Sequence, residues 1–271
     1  MDGATIVRTR AERIGARIIG TLDVLRELGA FAVITLGVTF TKFNASKRVV
    51  HPLIFTQIWS AGVRLLPMIS FIGAALGLVI VGQTVALLSR VGAQQYIGTV
   101  MVTVIVRELG PLVTALIVLA RAGTANVVEL GTMRAMGEVE ALESLGIDPI
   151  HYLVMPRVIG LATSVFCLTT YLVLIAIAGG YLFAFFFLQD VPLTLTDYLA
   201  QLNNALRWED FALFALKSIL FGAVIAVVNC YHGLARPLNV EEVSQVTARA
   251  VVESVTACVL LDAFFLLGYL F

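Results

Sequence analysis

The fold is decided by residues 107–156, which read RELGPLVTALIVLARAGTANVVELGTMRAMGEVEALESLGIDPIHYLVMP. The first half is an apolar run that carries one charged pair, Arg107 and Glu108. The second half is a loop that holds five of the eighteen carboxylates of the chain. Because a helix needs about 20 apolar residues to cross a bilayer, we interpret the segment as a membrane helix that leaves into a charged loop.

Composition indicates the same class of protein. The mean hydropathy is +0.96 and charged residues make up 13% of the chain, against about 25% in soluble domains. Cys167, Cys230 and Cys258 lie in apolar runs without paired spacing. We therefore expect buried free thiols, and neither disulfides nor a metal site.

Five stretches are long and apolar enough to be membrane spans. They cover residues 65–89, 91–120, 158–189, 218–235 and 250–271. The last of them contains Glu253 and Asp262, which lie about 100° apart around a helix and therefore need different partners. The sequence predicts an all-α integral membrane protein, formed by one domain over residues 1–271.

Residues 1–48 are expected to form an entry segment ahead of the five-span body, which covers residues 49–271. The stretch 28–41 is apolar for only 14 residues, which fits an interfacial or re-entrant helix better than a crossing. The residues before it predict an amphipathic helix on the membrane surface, with apolar and basic residues on different faces. These residues are Ile14, Ile18, Leu22 and Leu25 on one face and Arg10, Arg13 and Arg17 on another.

Basic residues predict the orientation in the membrane. If the N-terminus is cytoplasmic, the inner segments hold fourteen Lys and Arg, and the outer segments hold three, Arg90, Arg207 and Lys217. Because cytoplasmic loops are rich in Lys and Arg, we expect the 120–157 loop in the cytoplasm and the C-terminus outside.

The pair Arg107 and Glu108 is the first candidate functional feature. A charge at membrane depth costs about 2.5–3.5 kcal/mol on insertion scales, so both side chains should face protein or a wet cavity. Pro111 removes a backbone donor and crowds the carbonyl of Arg107, which loosens the helix there. We interpret the pair as lining a cavity for a polar head group, and an ion pair between helices is the alternative.

The loop that follows is the second candidate feature. Its apolar residues recur mainly at every third position, so a helix formed here would be apolar on several sides and suited to a place between the membrane body and a partner. An ordinary solvated connector is the alternative. The chain has no GxxxxGK[ST] loop for ATP, so any uphill work needs energy from another chain or from an ion gradient.

The order RELGP, RAG, ELGTMRAM, DP and PR resembles the signature of the MlaE family of ABC permeases, which includes the YrbE-type proteins and the chloroplast lipid permease. The resemblance extends more loosely through the whole chain to LLDAFF at residues 260–265. EALESLG at residues 140–146 is also similar to the EAA loop by which importer permeases dock their ATPases.

The resemblance implies a homodimer of permeases in the bacterial inner membrane, with two cytoplasmic ATPases and a periplasmic MCE-domain protein. It implies a phospholipid or another hydrophobic lipid as the substrate, held between the two copies. ATP and Mg²⁺ would be bound by the partner ATPase, so this chain would have no catalytic residue, cofactor or metal of its own. No nucleic acid is expected as a partner.

The resemblance also implies site residues. It gives a lipid cavity in which Arg107 is suited to a phosphate; the cavity residues are Arg107, Glu108, Ile80, Gln83, Leu87 and Leu88. It gives a coupling helix from Glu129 to Leu145 in a groove of the ATPase, with Glu129, Met133, Arg134, Glu138, Glu140, Leu142 and Glu143. Many relatives carry a glycine-rich stretch where this chain has Glu241 and Glu242, so the last cytoplasmic loop is expected to move less or to contact a different surface.

Two other functions remain open. A gradient-driven carrier would use Glu108 or Asp262 as a proton site, although five spans without a visible repeat differ from the inverted-repeat design of many carriers. A scaffold that only anchors soluble partners in the membrane would leave the Arg107–Glu108 pair unexplained.

Overall fold

The structure is a computed structural model that describes residues 26–39, 47–187, 194–235 and 239–270. The amphipathic helix predicted before residue 26 lies outside these ranges. Five helices in the described ranges are long and apolar enough to cross a membrane, which confirms the predicted all-α, five-span architecture. The first to fifth spans are Val50–Arg90, Ile97–Ala135, Ile150–Phe183, Trp208–Leu234 and Val243–Gly268.

The chain enters the membrane body through two helices. Helix α1 covers residues 26–39 and packs against the core through Phe31 and Ala32. Helix α2 (Lys47–Ala61) and helix α3 (Leu66–Arg90) form the first span, with a 3₁₀ turn between them. The span therefore begins well before the predicted residue 65, because α2 continues along the third span.

The second span is built from three α-helices joined by two π-helical turns. They are α4 (Ile97–Met101), a π turn (Val102–Leu109), α5 (Gly110–Val118), a second π turn (Leu119–Gly123) and α6 (Thr124–Ala135). The first turn ends two residues before Pro111, where the missing N–H was expected to loosen the helix. π-helical turns of this kind occur frequently at functional sites.

The coupling segment, residues 129–145, is divided into two helices. Helix α6 ends at Ala135, and Gly137 follows with a φ of 76°, a conformation that only glycine adopts without strain. Helix α7 (Glu138–Ser144) ends two residues before Gly146, which also has a positive φ. The prediction of one helix from Glu129 to Leu145 was wrong, since the left-handed residue breaks it.

The third span packs at the centre of the body. It consists of a π turn (Ile150–Val154) and α8 (Met155–Phe187), and α8 packs against α2, α3 and α5. A Cβ atom at Gly77 of α3 would lie 2.1 Å from the Ala176 carbonyl oxygen of α8. The small residues of the first span thus allow close helix contact.

The last part of the chain adds α9 (Leu195–Ala205), α10 (Trp208–Leu234) and α11 (Val243–Leu270). Helix α10 begins ten residues before the predicted residue 218, so Lys217 lies inside the fourth span. Its assignment to the outer segments was therefore wrong. The three cysteines are free, as expected, but Cys167 is exposed, whereas Cys230 and Cys258 are buried.

Two hydrophobic clusters form the core. One contains residues of the second span up to Val106 together with Val81 and Tyr198. The other contains the second span from Ala115 onward, with Leu161 of α8 among its other members. The charged residues at positions 107 and 108 therefore fall between the two clusters.

Candidate functional site

Five charged side chains from three spans meet between the two hydrophobic clusters. We call them the charged network: Arg107 and Glu108 from the second span, Asp210 and Lys217 from the fourth, and Asp262 from the fifth. The network joins the second, fourth and fifth spans through ion pairs. The alternative predicted for Arg107 and Glu108, an ion pair between helices, is confirmed.

Arg107 is paired with Asp210 through two nitrogens of its guanidinium group. Nε lies 2.9 Å from one carboxylate oxygen, and Nη2 donates a hydrogen bond of 3.0 Å to the other. Two parallel contacts of this kind are stronger and more directional than a single one. Asp210 is 3% exposed and also accepts a 2.9 Å hydrogen bond from the backbone N–H of Arg207, so it caps the start of α10.

Lys217 is 1% exposed and occupies the centre of the network. Its Nζ atom lies 3.1 Å from a Glu108 oxygen and 2.6 Å from an Asp262 oxygen, and it donates a 2.9 Å hydrogen bond to the Arg107 carbonyl. That carbonyl is the one crowded by Pro111, four residues later. Two hydrogen bonds, to the Glu108 carboxylate and the Arg107 carbonyl, and the ion pair with Asp262 together allow a charge to be buried there.

The network lies deep in the membrane and is partly exposed. Lys217 follows Trp208 by nine residues of helix, which places it roughly 13 Å from that end of the fourth span at 1.5 Å per residue. The hydrocarbon core is about 30 Å thick, so this position lies near its middle. Arg107 and Glu108 are each 25% exposed and Asp262 is 18% exposed, whereas Asp210 and Lys217 are buried.

Asp210 and Lys217 were missed in the sequence analysis, although a signal for Lys217 exists. It is a single basic residue between the apolar stretches 211–216 and 218–228. It was interpreted as the edge of a span. The acids Glu108 and Asp262 were already predicted to need partners, and Lys217 could have been recognised as one. Glu253 pairs instead with His232 at 2.7 Å, so the prediction of different partners for the two acids of the last span is confirmed.

The predicted cavity residues of the first span fall on two sides of α3. Ile80 and Leu88 are half-buried and pack against the hydrophobic cluster around Val81. Gln83 and Leu87 are exposed. The exposed side is the one that remains free to contact a lipid or a second polypeptide.

One ion pair holds the coupling segment to the body, and a second joins its two helices. Arg157, which is buried at the start of α8, contacts Glu129 of α6 at 3.0 Å and donates a 2.8 Å hydrogen bond to the Leu153 carbonyl. Arg134 of α6 contacts Glu140 of α7 at 3.2 Å, across the break at Gly137. Three of the predicted coupling residues are thus paired within the chain.

The remaining coupling residues divide between the core and the surface. Met133 and Leu142 are half-buried against the hydrophobic core, and Glu138 and Glu143 are exposed on α7. Two large apolar side chains, Met136 and Leu145, are exposed beside them, and Val139 is buried. The prediction that this segment is apolar on several sides is confirmed.

Comparison with known proteins gives one consistent result. The family model described as Permease MlaE matches residues 54–267. A probable ABC transporter permease protein of Rickettsia prowazekii is 31% identical over 246 residues, which cover 88% of this chain and 91% of the relative. The intermembrane phospholipid transport system permease protein MlaE of Haemophilus influenzae is 28% identical over 234 residues, covering 86% and 88%.

A plant protein is also similar. The chloroplastic TRIGALACTOSYLDIACYLGLYCEROL 1 protein of Arabidopsis thaliana is 32% identical over 195 residues, which cover 71% of this chain and 53% of the plant protein. The family match runs from the first span into the fifth and includes the whole charged network and the coupling segment. The chain is therefore a multi-pass membrane protein that belongs to the MlaE family of ABC transporter permeases.

Proposed function

We propose that this permease moves phospholipid, or a related hydrophobic lipid, between the inner membrane and a periplasmic MCE-domain protein. A separate cytoplasmic ATPase would supply the energy. The observation that carries the proposal is the charged network, which lies at membrane depth and is partly exposed. Because exposed charge is costly against lipid tails, the exposed groups need a polar ligand, water or another polypeptide.

The surroundings of the network fit an amphipathic ligand. A lipid head group would meet Arg107, Glu108 and Asp262, whose side chains are partly exposed. The tails would meet exposed apolar side chains of the spans, among them Leu87 on the first span and Phe264 on the fifth. A polar region next to a long apolar surface is the pattern that a phospholipid requires.

A homodimer would enclose this site. The fifth span is the least buried of the five, since only 22% of its most apolar stretch is buried inside the body. It presents the large apolar side chains Val252, Leu260 and Phe264 outward. Most homo-oligomers are two-fold symmetric dimers. A second copy packed against the second and fifth spans would shield the network from the bilayer and leave a chamber between the two copies.

The coupling segment supports an ATPase partner on the cytoplasmic side. Glu138 and Glu143 are exposed on α7 beside the apolar Met136 and Leu145. A polar rim around exposed apolar residues is typical of a protein interface. ATP and Mg²⁺ would bind to that partner, because this sequence has no phosphate-binding loop.

The same topology is proposed as the sequence indicated, with the N-terminus and the coupling segment in the cytoplasm and the C-terminus in the periplasm. The MCE-domain partner would then meet the opposite side, where α4 and α9 pack together. A relative that is named as a permease of an intermembrane phospholipid transport system supports a lipid substrate and an inner-membrane location.

The ion pairs weigh against a gradient-driven carrier. Glu108 and Asp262 both contact the Lys217 ammonium, so a proton on either acid would weaken its pairing with a buried cation. A scaffold without transport would not require three partly exposed charges at this depth. The network therefore favours the lipid permease over both alternatives.

The proposal is tested by reconstitution into vesicles with fluorescent phospholipid. The chain with its ATPase should move lipid only with ATP, and the chain alone should move none. Replacing Arg107 or Glu108 by Ala should abolish transport and leave the ATPase bound. Transport by the chain alone, or normal transport by both variants, would contradict the proposal.

A further inference from the structure

The charged network carries more negative than positive charge. Arg107 and Lys217 supply two cations, and Glu108, Asp210 and Asp262 supply three carboxylates. Arg107 and Asp210 balance each other in the paired contact described above. The excess therefore belongs to Glu108 and Asp262, which share the single ammonium of Lys217.

The two acids that share Lys217 are partly exposed, and so is Arg107. Lys217 is buried, and within the described residues Glu108 and Asp262 have no ion-pair partner other than Lys217. A ligand that reaches the exposed part of the network therefore meets two carboxylates and the Arg107 guanidinium before it meets the ammonium. An excess negative charge at membrane depth is unfavourable unless a cation or a bound proton compensates it.

The guanidinium of Arg107 is less available to an anion than the sequence suggested. Two of its nitrogens, Nε and Nη2, are directed to Asp210, which occupies one of the two bidentate edges of the guanidinium. Asp210 is itself fixed at the start of α10 by the Arg207 backbone N–H. With two carboxylates and one partly occupied guanidinium, the exposed part of the network is better suited to a head group that carries a cation beside its phosphate than to a phosphate alone.

We propose that Glu108 and Asp262 select lipids whose head group carries an ammonium, and that they discriminate against anionic lipids that lack one. The inference rests on the proposed function, since it requires that the network contacts the transported lipid. An ammonium with N–H donors can contact both carboxylates in the way that Lys217 does from below. A zwitterionic lipid such as phosphatidylethanolamine adds no net charge, whereas phosphatidylglycerol adds a further negative charge to a site that already has one in excess.

The selectivity is measured on the intact transporter, purified with its ATPase and placed in nanodiscs that contain equal amounts of dioleoyl phosphatidylethanolamine and dioleoyl phosphatidylglycerol. The lipid that remains bound after transfer to detergent is quantified by mass spectrometry. We expect phosphatidylethanolamine to be enriched about tenfold in the wild type, which corresponds to about 1.4 kcal/mol.

Two variants remove the excess charge with almost no change in shape. Asp262→Asn and Glu108→Gln each leave the network with equal numbers of cations and anions, and each should bring the ratio of the two lipids close to one. Either variant is sufficient if the other does not assemble. The matched control is Glu253→Gln, the same kind of change on the same span as Asp262, at an acid that pairs with His232 outside the network; it should retain the wild-type ratio.

Equal retention of the two lipids by the wild type would overturn the selectivity, and so would an unchanged enrichment in both variants. These outcomes differ from a failure of the proposed function. If the purified transporter retains no phospholipid and moves none with ATP, the lipid permease itself is refuted. If it retains and moves both lipids without preference, only the selectivity is refuted.

Discussion

Replacement of Lys217 by Met tests whether the charged network stabilises the fold, serves transport, or does both. Met is unbranched and has nearly the length of the lysine stem, so the packing is largely retained and the main change is the loss of the ammonium. The substitution leaves Glu108 and Asp262 with no counter-charge and frees the Arg107 carbonyl. Lys217 is 1% exposed, so water cannot replace it.

The expected loss of stability follows from what happens when a buried ion pair loses only one of its two partners. Removal of one partner costs about 3–5 kcal/mol because the other charge stays buried without compensation. Glu108 and Asp262 are partly exposed, which places the expected loss at the lower end, about 3 kcal/mol of unfolding free energy. The triple variant Lys217→Met, Glu108→Gln and Asp262→Asn has no unpaired charge and should recover most of this loss, to within about 1 kcal/mol of the wild type.

The assay combines unfolding in detergent with ATP-dependent lipid transport in vesicles. The single variant should be less stable than the wild type and inactive, and the triple variant should be stable and still inactive. Two results would refute the reasoning. An unchanged stability of the single variant would show that the ammonium is not needed for the fold, and normal transport by the triple variant would show that the network is only structural.

Three further predictions concern other parts of the molecule. Arg157→Met removes the contact with Glu129. Because Glu129 is itself largely exposed, the loss of unfolding free energy should be only about 1 kcal/mol. The amount of lipid moved per ATP hydrolysed should nevertheless fall, and an unchanged amount per ATP would contradict this prediction. Glu143→Lys on α7 should weaken co-purification of the ATPase, whereas Asp197→Lys, at an exposed acid on α9, should not; equal effects of the two would exclude docking at α7. Trp208 is 86% exposed, and Trp prefers the membrane interface. Its fluorescence should therefore be quenched more by lipids brominated near the head group than by lipids brominated near the chain end. The reverse order would contradict the depth derived above for Lys217.

The number of spans could be predicted because it depends only on the length of apolar runs. The limits of the fourth span could not, because a buried Lys217 has the same appearance in a sequence as a residue at a span edge. Its burial depends on Glu108 and Asp262, which are more than forty positions away along the chain on either side. The coupling segment was predicted as one helix because a single glycine does not reveal whether it will adopt a positive φ, as Gly137 does.

The candidate site was predicted only in part for a related reason. Arg107 and Glu108 were recognised as unusual because charge at membrane depth is costly wherever it occurs. Their partners depend on the rotation and depth of the fourth span, and neither quantity is contained in the periodicity of one segment. The same holds for the first span, where the structure directs Gln83 and Leu87 outward and Ile80 and Leu88 toward the core.

The second span connects the charged network and the coupling segment within one continuous helix of 39 residues, Ile97–Ala135. Its end at Ala135 is held to α7 and α8 by ion pairs, so a displacement of α7 pulls on α6. The π turns at 102–109 and 119–123 are the places where this helix departs from regular hydrogen bonding and can bend most readily. The first of these turns contains Arg107 and Glu108, and Lys217 binds the Arg107 carbonyl directly. A bend at that turn therefore changes the distance between Glu108 and Lys217, which links movement of α7 to the partly exposed charges of the network.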